Sequence, residues 1–299
     1  MSKPKLNILI SGGTGFIGSH LIPKLSEKGH TITVLTRSAK KSKDRNLTYL
    51  KWNGKEMPMG IGIYEVIINL AGASIAEGKW SESRKKMIMD SRISATQACV
   101  KYINSSPRKP QVFISASAVG YYGVKKGEEI DEKGKVGDDF AARVCAAWEA
   151  ESQKAKCRTV NPRIGIVLGK DGGALKQLIP IYKYYLGGSL GSGRQGFPWI
   201  HIDDVVRGII FCIENEDIAG AVNLVSPQVT EQRVFSKKLA KTLNRPDPFS
   251  APKFALKLLL GERSLLLWGG QKAIPRVLQR EKFTFKFSEL DHALSELIS

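Results

Sequence analysis

The stretch Ser11-Gly12-Gly13-Thr14-Gly15-Phe16-Ile17-Gly18 separates two segments of different periodicity. Before it, Leu6-Asn7-Ile8-Leu9-Ile10 is a short apolar run of strand character. After it, Phe16 to Lys28 carries helical spacing until Gly29, and Thr31-Ile32-Thr33-Val34-Leu35-Thr36 is a second strand. Strand, glycine turn, helix and strand within about 30 residues form one βαβ unit, the context in which such a turn binds a dinucleotide. Gly12 permits the tight bend, Gly15 admits the pyrophosphate and Gly18 lets helix and strand close up. The helix N-terminus then directs free N–H groups and a partial positive charge at the anion. Gly12, Thr14, Gly15, Phe16, Ile17 and Gly18 are therefore expected to touch the cofactor.

About 20 residues further on, an NAD-binding chain carries an acidic residue for the ribose hydroxyls. Here Arg37 and Ser38 stand at that place, with Lys40 and Lys41 nearby. An arginine pairs with a 2′-phosphate, so NADP(H) is the expected cofactor. Outward from this unit, Val66-Ile67-Ile68-Asn69-Leu70 and Val112-Phe113-Ile114 are near-continuous apolar runs, the pattern of parallel strands covered on both faces. Ser81 to Ile103 is predicted to be a long helix with Ser81 as its cap, and Asp138 to Lys154 another. A strand follows at Thr159-Val160, then Gly-rich loops flank a helix over Leu175 to Leu186, and Asp203 to Glu214 with Ala221 to Val225 resumes the α/β rhythm.

The expected fold is α/β: a Rossmann-type doubly wound parallel sheet with a smaller, mostly helical C-terminal substrate lobe. Residues 1–168 would form the NADP(H)-binding domain, with 203–225 returning to it. Residues 169–202 and 226–299 would form the substrate lobe, including a small C-terminal domain over about 249–297.

The net charge of +18 raises a nucleic-acid reading, but the excess is spread along the chain rather than gathered in a tail or stripe, so neither nucleic acid nor membrane is an expected partner. Cys99, Cys145, Cys157 and Cys212 have no metal-ligand spacing, which argues against a metal site and fits reduced thiols. The apolar stretch from Phe254 to Trp268 is broken by Lys257, Glu262 and Arg263 and falls short of the ~20 residues of a membrane span. A cytoplasmic protein is expected, and an oligomer is neither required nor excluded.

With these motifs in view, the chain resembles the epimerase-family branch of the extended and atypical short-chain dehydrogenase/reductase superfamily. The likeness includes Asn69-Leu70-Ala71-Gly72-Ala73, Ser115-Ala116-Ser117-Ala118-Val119-Gly120-Tyr121-Tyr122-Gly123, Arg163-Ile164-Gly165, Gly191 to Asp204, and Gly269 to Leu294. The resemblance implies a Rossmann fold with NADP(H), Leu70, Ala71, Gly72 and Ser115 beside the cofactor, and a catalytic serine at Ser117. It implies no known substrate.

The superfamily moves a proton with a Tyr-x-x-x-Lys pair on a helix. Here the corresponding helix reads Asp139-Phe140-Ala141-Ala142-Arg143-Val144-Cys145-Ala146-Ala147-Trp148-Glu149. One register places Ala141 and Cys145 at the catalytic positions, the other Phe140 and Val144, and neither does acid–base chemistry. Tyr121-x-x-x-Lys125 and Tyr122-x-x-x-Lys126 match by letter, but their glycine-rich segment is not expected to be helical. Tyr121 or Tyr122 would remain as a substitute acid.

Arg194 and His201 are candidates to hold substrate, against a surface cation and a structural histidine. Asp203 and Asp204 are expected to cap a helix. Arg84, Lys85 and Arg92 would face either the pocket or solvent. The expectation is an oxidoreductase or epimerase for a small polar or anionic substrate; the alternative, favoured by the missing Tyr/Lys pair, is a non-catalytic NADP(H)-binding sensor or scaffold.

Overall fold

The four apolar runs, the later segments at Thr159 and Ala221, and an edge strand at Leu47–Lys51 that the sequence reading did not anticipate become seven strands of one parallel sheet in the computed structural model. It describes residues 4–38, 40–125, 127–247, 249–265 and 269–298, apart from the side chains at 249, 255, 256, 259 and 260. In chain order the elements are β1 (Asn7–Ser11), α1 (Phe16–Glu27), β2 (Thr31–Thr36), β3 (Leu47–Lys51), β4 (Val66–Asn69), α2 (Glu82–Ser105), β5 (Val112–Ser115), the two-residue β6 (Ser117–Ala118), β7 (Glu129–Ile130) and α3 (Phe140–Ser152). There follow β8 (Thr159–Ile164), β9 (Ile166–Leu168), α4 (Gly173–Lys183), β10 (Gly188–Leu190), β11 (Trp199–His201), α5 (Ile202–Glu214) and β12 (Gly220–Leu224). The C-terminal part carries α6 (Gln232–Thr242), β13 (Phe249–Ala251), α7 (Lys253–Leu260), β14 (Lys272–Ala273), α8 (Arg276–Arg280) and α9 (Leu290–Ile298).

The main sheet runs β12-β8-β5-β4-β1-β2-β3, with β6 a short branch on β8. Chain order reverses between β1 and β4. That topological switch point opens a crevice beyond the strand C-termini, where ligands bind in doubly wound sheets.

Alternate residues explain why the strand sequences are continuously apolar. Ile8, Ile10, Val34, Ile68 and Ile114 pack on α1 and α5 through Leu21, Leu25, Val205 and Ile209. Leu9, Leu35, Ile67 and Phe113 point the other way, onto Ala95, Ala98, Cys99 and Ile103 of α2. A third core lies beyond the sheet, where Leu175 and Tyr182 of α4 meet Phe235 and Leu239 of α6 and Leu290 and Leu294 of α9.

Ser81 caps α2 as expected, its side chain accepting from the Arg84 N–H at 3.3 Å. Strand β8 extends four residues beyond Val160, through Pro162. Pro162 sits opposite the break between β5, which pairs at Thr159 and Val160, and β6, which pairs at Arg163 and Ile164. A missing N–H is tolerated in a central strand at such a break. The cap of α5 differs from expectation: His201 Nδ1 accepts from the Asp203 N–H at 3.1 Å. Asp204, fully buried, instead accepts from the Lys286 and Phe287 N–H groups, both at 2.8 Å, and anchors the C-terminal segment to the sheet domain.

Candidate functional site

The glycine turn is built by exclusion of side chains. Gly12 has φ +71°, and a Cβ there would lie 2.5 Å from the Leu70 carbonyl carbon. A Cβ on Gly18 would lie 2.5 Å from Gly13 Cα, so α1 approaches β1 as closely as backbone allows. Gly15 is the N-cap of α1, with no side-chain cap and no acid in the first turn. The helix therefore keeps its N–H groups and positive end for an anion, and Thr14 and Gly15 are exposed at that end.

Across the switch point, Asn69 ties the strand ends together. It is fully buried; its Oδ1 accepts from Ser11 Oγ at 2.6 Å and its Nδ2 donates to Thr96 at 2.9 Å. Leu70, Ala71 and Gly72 follow as a partly open strip along the crevice. At the end of β5, the buried Ser115 Oγ has no hydrogen-bond partner, a polar atom left for a ligand to satisfy. A bare helix end, a side-chain-free cradle and an unpartnered hydroxyl fit a dinucleotide. Further out, exposed Arg37 shares a pocket of about 560 Å³ with Lys51, Trp52, Asn53, Glu56, Met57 and Pro58; Ser38 is exposed beside it.

A second cavity, of about 1110 Å³, begins at Phe16 and Ile17 and passes Ala118, Val119 and Gly120. Ala141 and Cys145 line it from α3, the register that places them at the family's Tyr and Lys positions. Burial pushes the Cys145 thiol up to about 11, so it is uncharged near neutrality. In that register a methyl group and a neutral thiol stand where the family's acid–base pair would; Phe140, from the other register, lines the cavity as well.

The structure gives the sequence candidates beside this wall internal partners and places them outside the cavity lining. Ser117 does not line the cavity: it is 3% exposed and donates to Glu149 Oε1 at 2.6 Å. Glu149 takes a bidentate pair from Arg163, Nε to Oε1 at 2.9 Å and Nη2 to Oε2 at 2.8 Å. Burial alone would lower the Arg163 pKa, but the hydrogen bonds and charge of Glu149 outweigh it and raise it above the usual range. Arg163 also donates to Tyr122 Oη at 3.0 Å, and Tyr122 donates to Asn223 Oδ1 at 2.7 Å. Burial raises the fully buried Tyr122 to about 12 despite Arg163, so it stays protonated, and it is absent from the described cavity lining. The Tyr121 ring lies 3.5 Å over the Arg163 guanidinium and is likewise outside the cavity lining. The segment Val119–Tyr122 is a single 3-10 turn ended by Gly123, not a helix face; Lys126 lies outside the described residues.

The two substrate candidates also lie outside the described cavity lining. Arg194 is exposed and absent from the described cavity lining, whereas its neighbours Gln195 and Gly196 belong to it. His201 is 1% exposed, caps α5 and bonds Glu296 at 3.0 Å, because β11 carries it into the core beneath the C-terminal segment. Arg84, Lys85 and Arg92 hold neighbouring structure: Arg84 bonds the Ser74 carbonyl, Arg92 the Ala73 carbonyl, and Lys85 pairs with Glu262 and Glu82. Residue spacing did not reveal the Glu149–Arg163 pair, because a helix and a strand 14 positions apart meet only in the fold.

A switch-point crevice with a bare glycine turn and an uncapped helix defines an NAD(P)-binding Rossmann protein. The profile of the NAD dependent epimerase/dehydratase family matches residues 8–224, and one described as a domain of unknown function (DUF1731) matches 251–297. The chain belongs to the NAD-dependent epimerase/dehydratase family, in its atypical short-chain dehydrogenase/reductase branch. It is 38% identical over 300 residues to the epimerase family protein YfhF of Bacillus subtilis, covering 98% of each chain. It is 40% identical over 294 residues to an epimerase family protein of Staphylococcus saprophyticus, covering 97% of this chain and 98% of the other. Among solved structures, human epimerase family protein SDR39U1 with NADPH superposes at TM-score 0.89 and 31% identity, covering 97% of this chain and 98% of that one. Among the described residues, no group of acids, histidines and cysteines could hold a metal, and no helix is long and apolar enough to cross a membrane.

Proposed function

We propose that the protein is an NADP(H)-dependent oxidoreductase that works without a resident tyrosine–lysine acid. The observation carrying this reading is that one cavity joins Phe16 and Ile17 of the cofactor turn to the α3 face at Ala141 and Cys145. The turn from Gly12 to Gly18 would hold the pyrophosphate, Arg37 and Ser38 the 2′-phosphate, and Leu70, Ala71, Gly72 and Ser115 the remainder. Lys51 beside Arg37 supports NADP(H) over NAD, as does the NADPH bound by the human relative. When bound, the nicotinamide supplies hydride to a substrate carbon. Ala141 and Cys145 position and exclude water but move no proton, so the substrate oxygen is protonated from solvent. Glu149, Arg163 and Ser117 keep α3 against the sheet.

The same apolar positions favour a second reading, a non-catalytic NADP(H) sensor. Steady-state NADPH oxidation across a panel of carbonyl compounds separates the two: substrate-dependent oxidation is expected, and tight NADPH binding with no turnover for any compound would select the sensor. Arg37→Asp should weaken NADPH by about tenfold or more while sparing NADH, since a charge-assisted pair is worth ~1.5–3 kcal/mol; an unaltered preference defeats the cofactor assignment.

A further inference from the structure

We infer that the large cavity takes an elongated, uncharged and mostly apolar substrate, such as a long-chain ketone, rather than a nucleotide sugar or a small anion. This rests on the oxidoreductase reading above and deepens it. The cavity, its cofactor end at Phe16 and Ile17 included, measures about 1110 Å³, beside the ~300–1,000 Å³ of a usual ligand pocket. Beyond the cofactor end its wall is built by Leu178, Ile181, Leu186, Phe197 and Phe235.

The charged groups on the wall have the wrong sign for a diphosphate. Among the described lining residues, Glu77, Asp139 and Glu262 are acidic and Arg263 is the one basic side chain. Arg263 Nη1 donates to the Ala76 and Gly78 carbonyls at 2.9 and 3.0 Å, so it closes the loop after β4 on the C-terminal part. An anion would meet Glu77, the α3-capping Asp139, Glu262 already paired with Lys85, and an engaged guanidinium, with no free cation among the described lining residues.

Three of the remaining polar side chains shape the wall, while Ser74, Gln177 and Ser189 add the other polar groups to it. Gln195 Nε2 donates to the Leu190 carbonyl at 2.7 Å, Gln232 Oε1 accepts from the Leu190 N–H at 2.9 Å, and Gln271 Nε2 donates to the Gly123 carbonyl at 2.5 Å. At the mouth, Ile181 and Leu186 line the cavity yet are 43% and 66% exposed. Apolar surface therefore continues outward, and a chain longer than the cavity keeps burying methylenes against it.

The test is calorimetric titration of the NADP⁺-loaded protein, which can bind a ketone but has no hydride to give it, with methyl ketones from hexanone to dodecanone and UDP-glucose as the polar comparison. Each added methylene buried should tighten binding by up to about fourfold, from ~0.8 kcal/mol per CH₂, and UDP-glucose should bind more weakly than every long ketone. Ile181→Asp, at a half-exposed position that tolerates a charge, should flatten the chain-length gain, whereas Ile181→Leu should restore it. Affinity independent of chain length, or UDP-glucose binding tighter than dodecanone, overturns the inference. NADPH binding is titrated first; if it fails, the cofactor reading falls, and the ketone series on the cofactor-free protein still decides the substrate class.

Discussion

Replacing Tyr122 by Phe separates a structural tyrosine from a catalytic one. The phenolic oxygen accepts from Arg163 Nη1 at 3.0 Å and donates to Asn223 Oδ1 at 2.7 Å, with the ring fully buried. Removing it costs two hydrogen bonds, one of them to a charge. Typical net values of ~1 and ~1.5–3 kcal/mol bracket the loss. Arg163 retains Glu149 and the Glu132 carbonyl, but the buried Asn223 Oδ1 loses its partner, since Asn223 keeps the Ile274 carbonyl only through Nδ2. A destabilisation of about 3 kcal/mol is expected, equivalent to a Tm fall of roughly 6 °C in a chain of this size. Urea unfolding should show a lower midpoint with unchanged m.

NADPH affinity and turnover should stay within about twofold, whereas loss of a general acid would cost ~10²–10⁴-fold. Stability unchanged to within about 0.5 kcal/mol, or a hundredfold loss of turnover with stability intact, would refute the structural assignment. The pH dependence has a fixed sign as well. Burial raises Tyr122 from the ordinary ~10 of an unfolded tyrosine to about 12, so folding favours its protonated form. That contribution is complete below pH ~10 and is lost as pH rises through about 12, and Tyr122→Phe should remove it from the alkaline limb.

Three further outcomes check other parts of the site. Gly12→Ala forces a side chain onto the Leu70 carbonyl at a backbone conformation with φ +71°, a strain of order 1–3 kcal/mol; differential scanning calorimetry should show a lower Tm, and NADPH titration at least a tenfold loss. Cys145, 5% exposed with its thiol pushed up to about 11, should resist iodoacetamide at neutral pH in the native protein and react once unfolded, as read by mass spectrometry; rapid native labelling contradicts its burial. Arg194→Ala, at an exposed position off the cavity wall, should leave NADPH affinity and ketone binding within about twofold, and a tenfold change in either would return Arg194 to the site.

Much of the cofactor crevice was legible along the chain because its determinants are local. A glycine turn between a strand and a helix is specified by neighbouring residues: Gly12, Gly15 and Gly18 act through backbone a few positions away. The continuous apolar runs likewise declare strands covered on both faces. That α3 lacks a Tyr/Lys pair was also legible, since in either register, Ala141 and Cys145 or Phe140 and Val144, the two positions stand four apart on one helix.

The fate of the polar residues was decided only by the tertiary structure. Ser117, Tyr122 and His201 carry groups equally suited to catalysis or to internal bonding, and spacing does not distinguish the two. Partners supplied from distant positions do: Glu149 and Asn223 satisfy the first two, and Glu296 meets His201. The cavity's character has the same origin. Its wall gathers side chains from α3, α4, α6 and the segments around Gln195 and Gln271, so its apolar surface is a sum over elements that no single stretch displays.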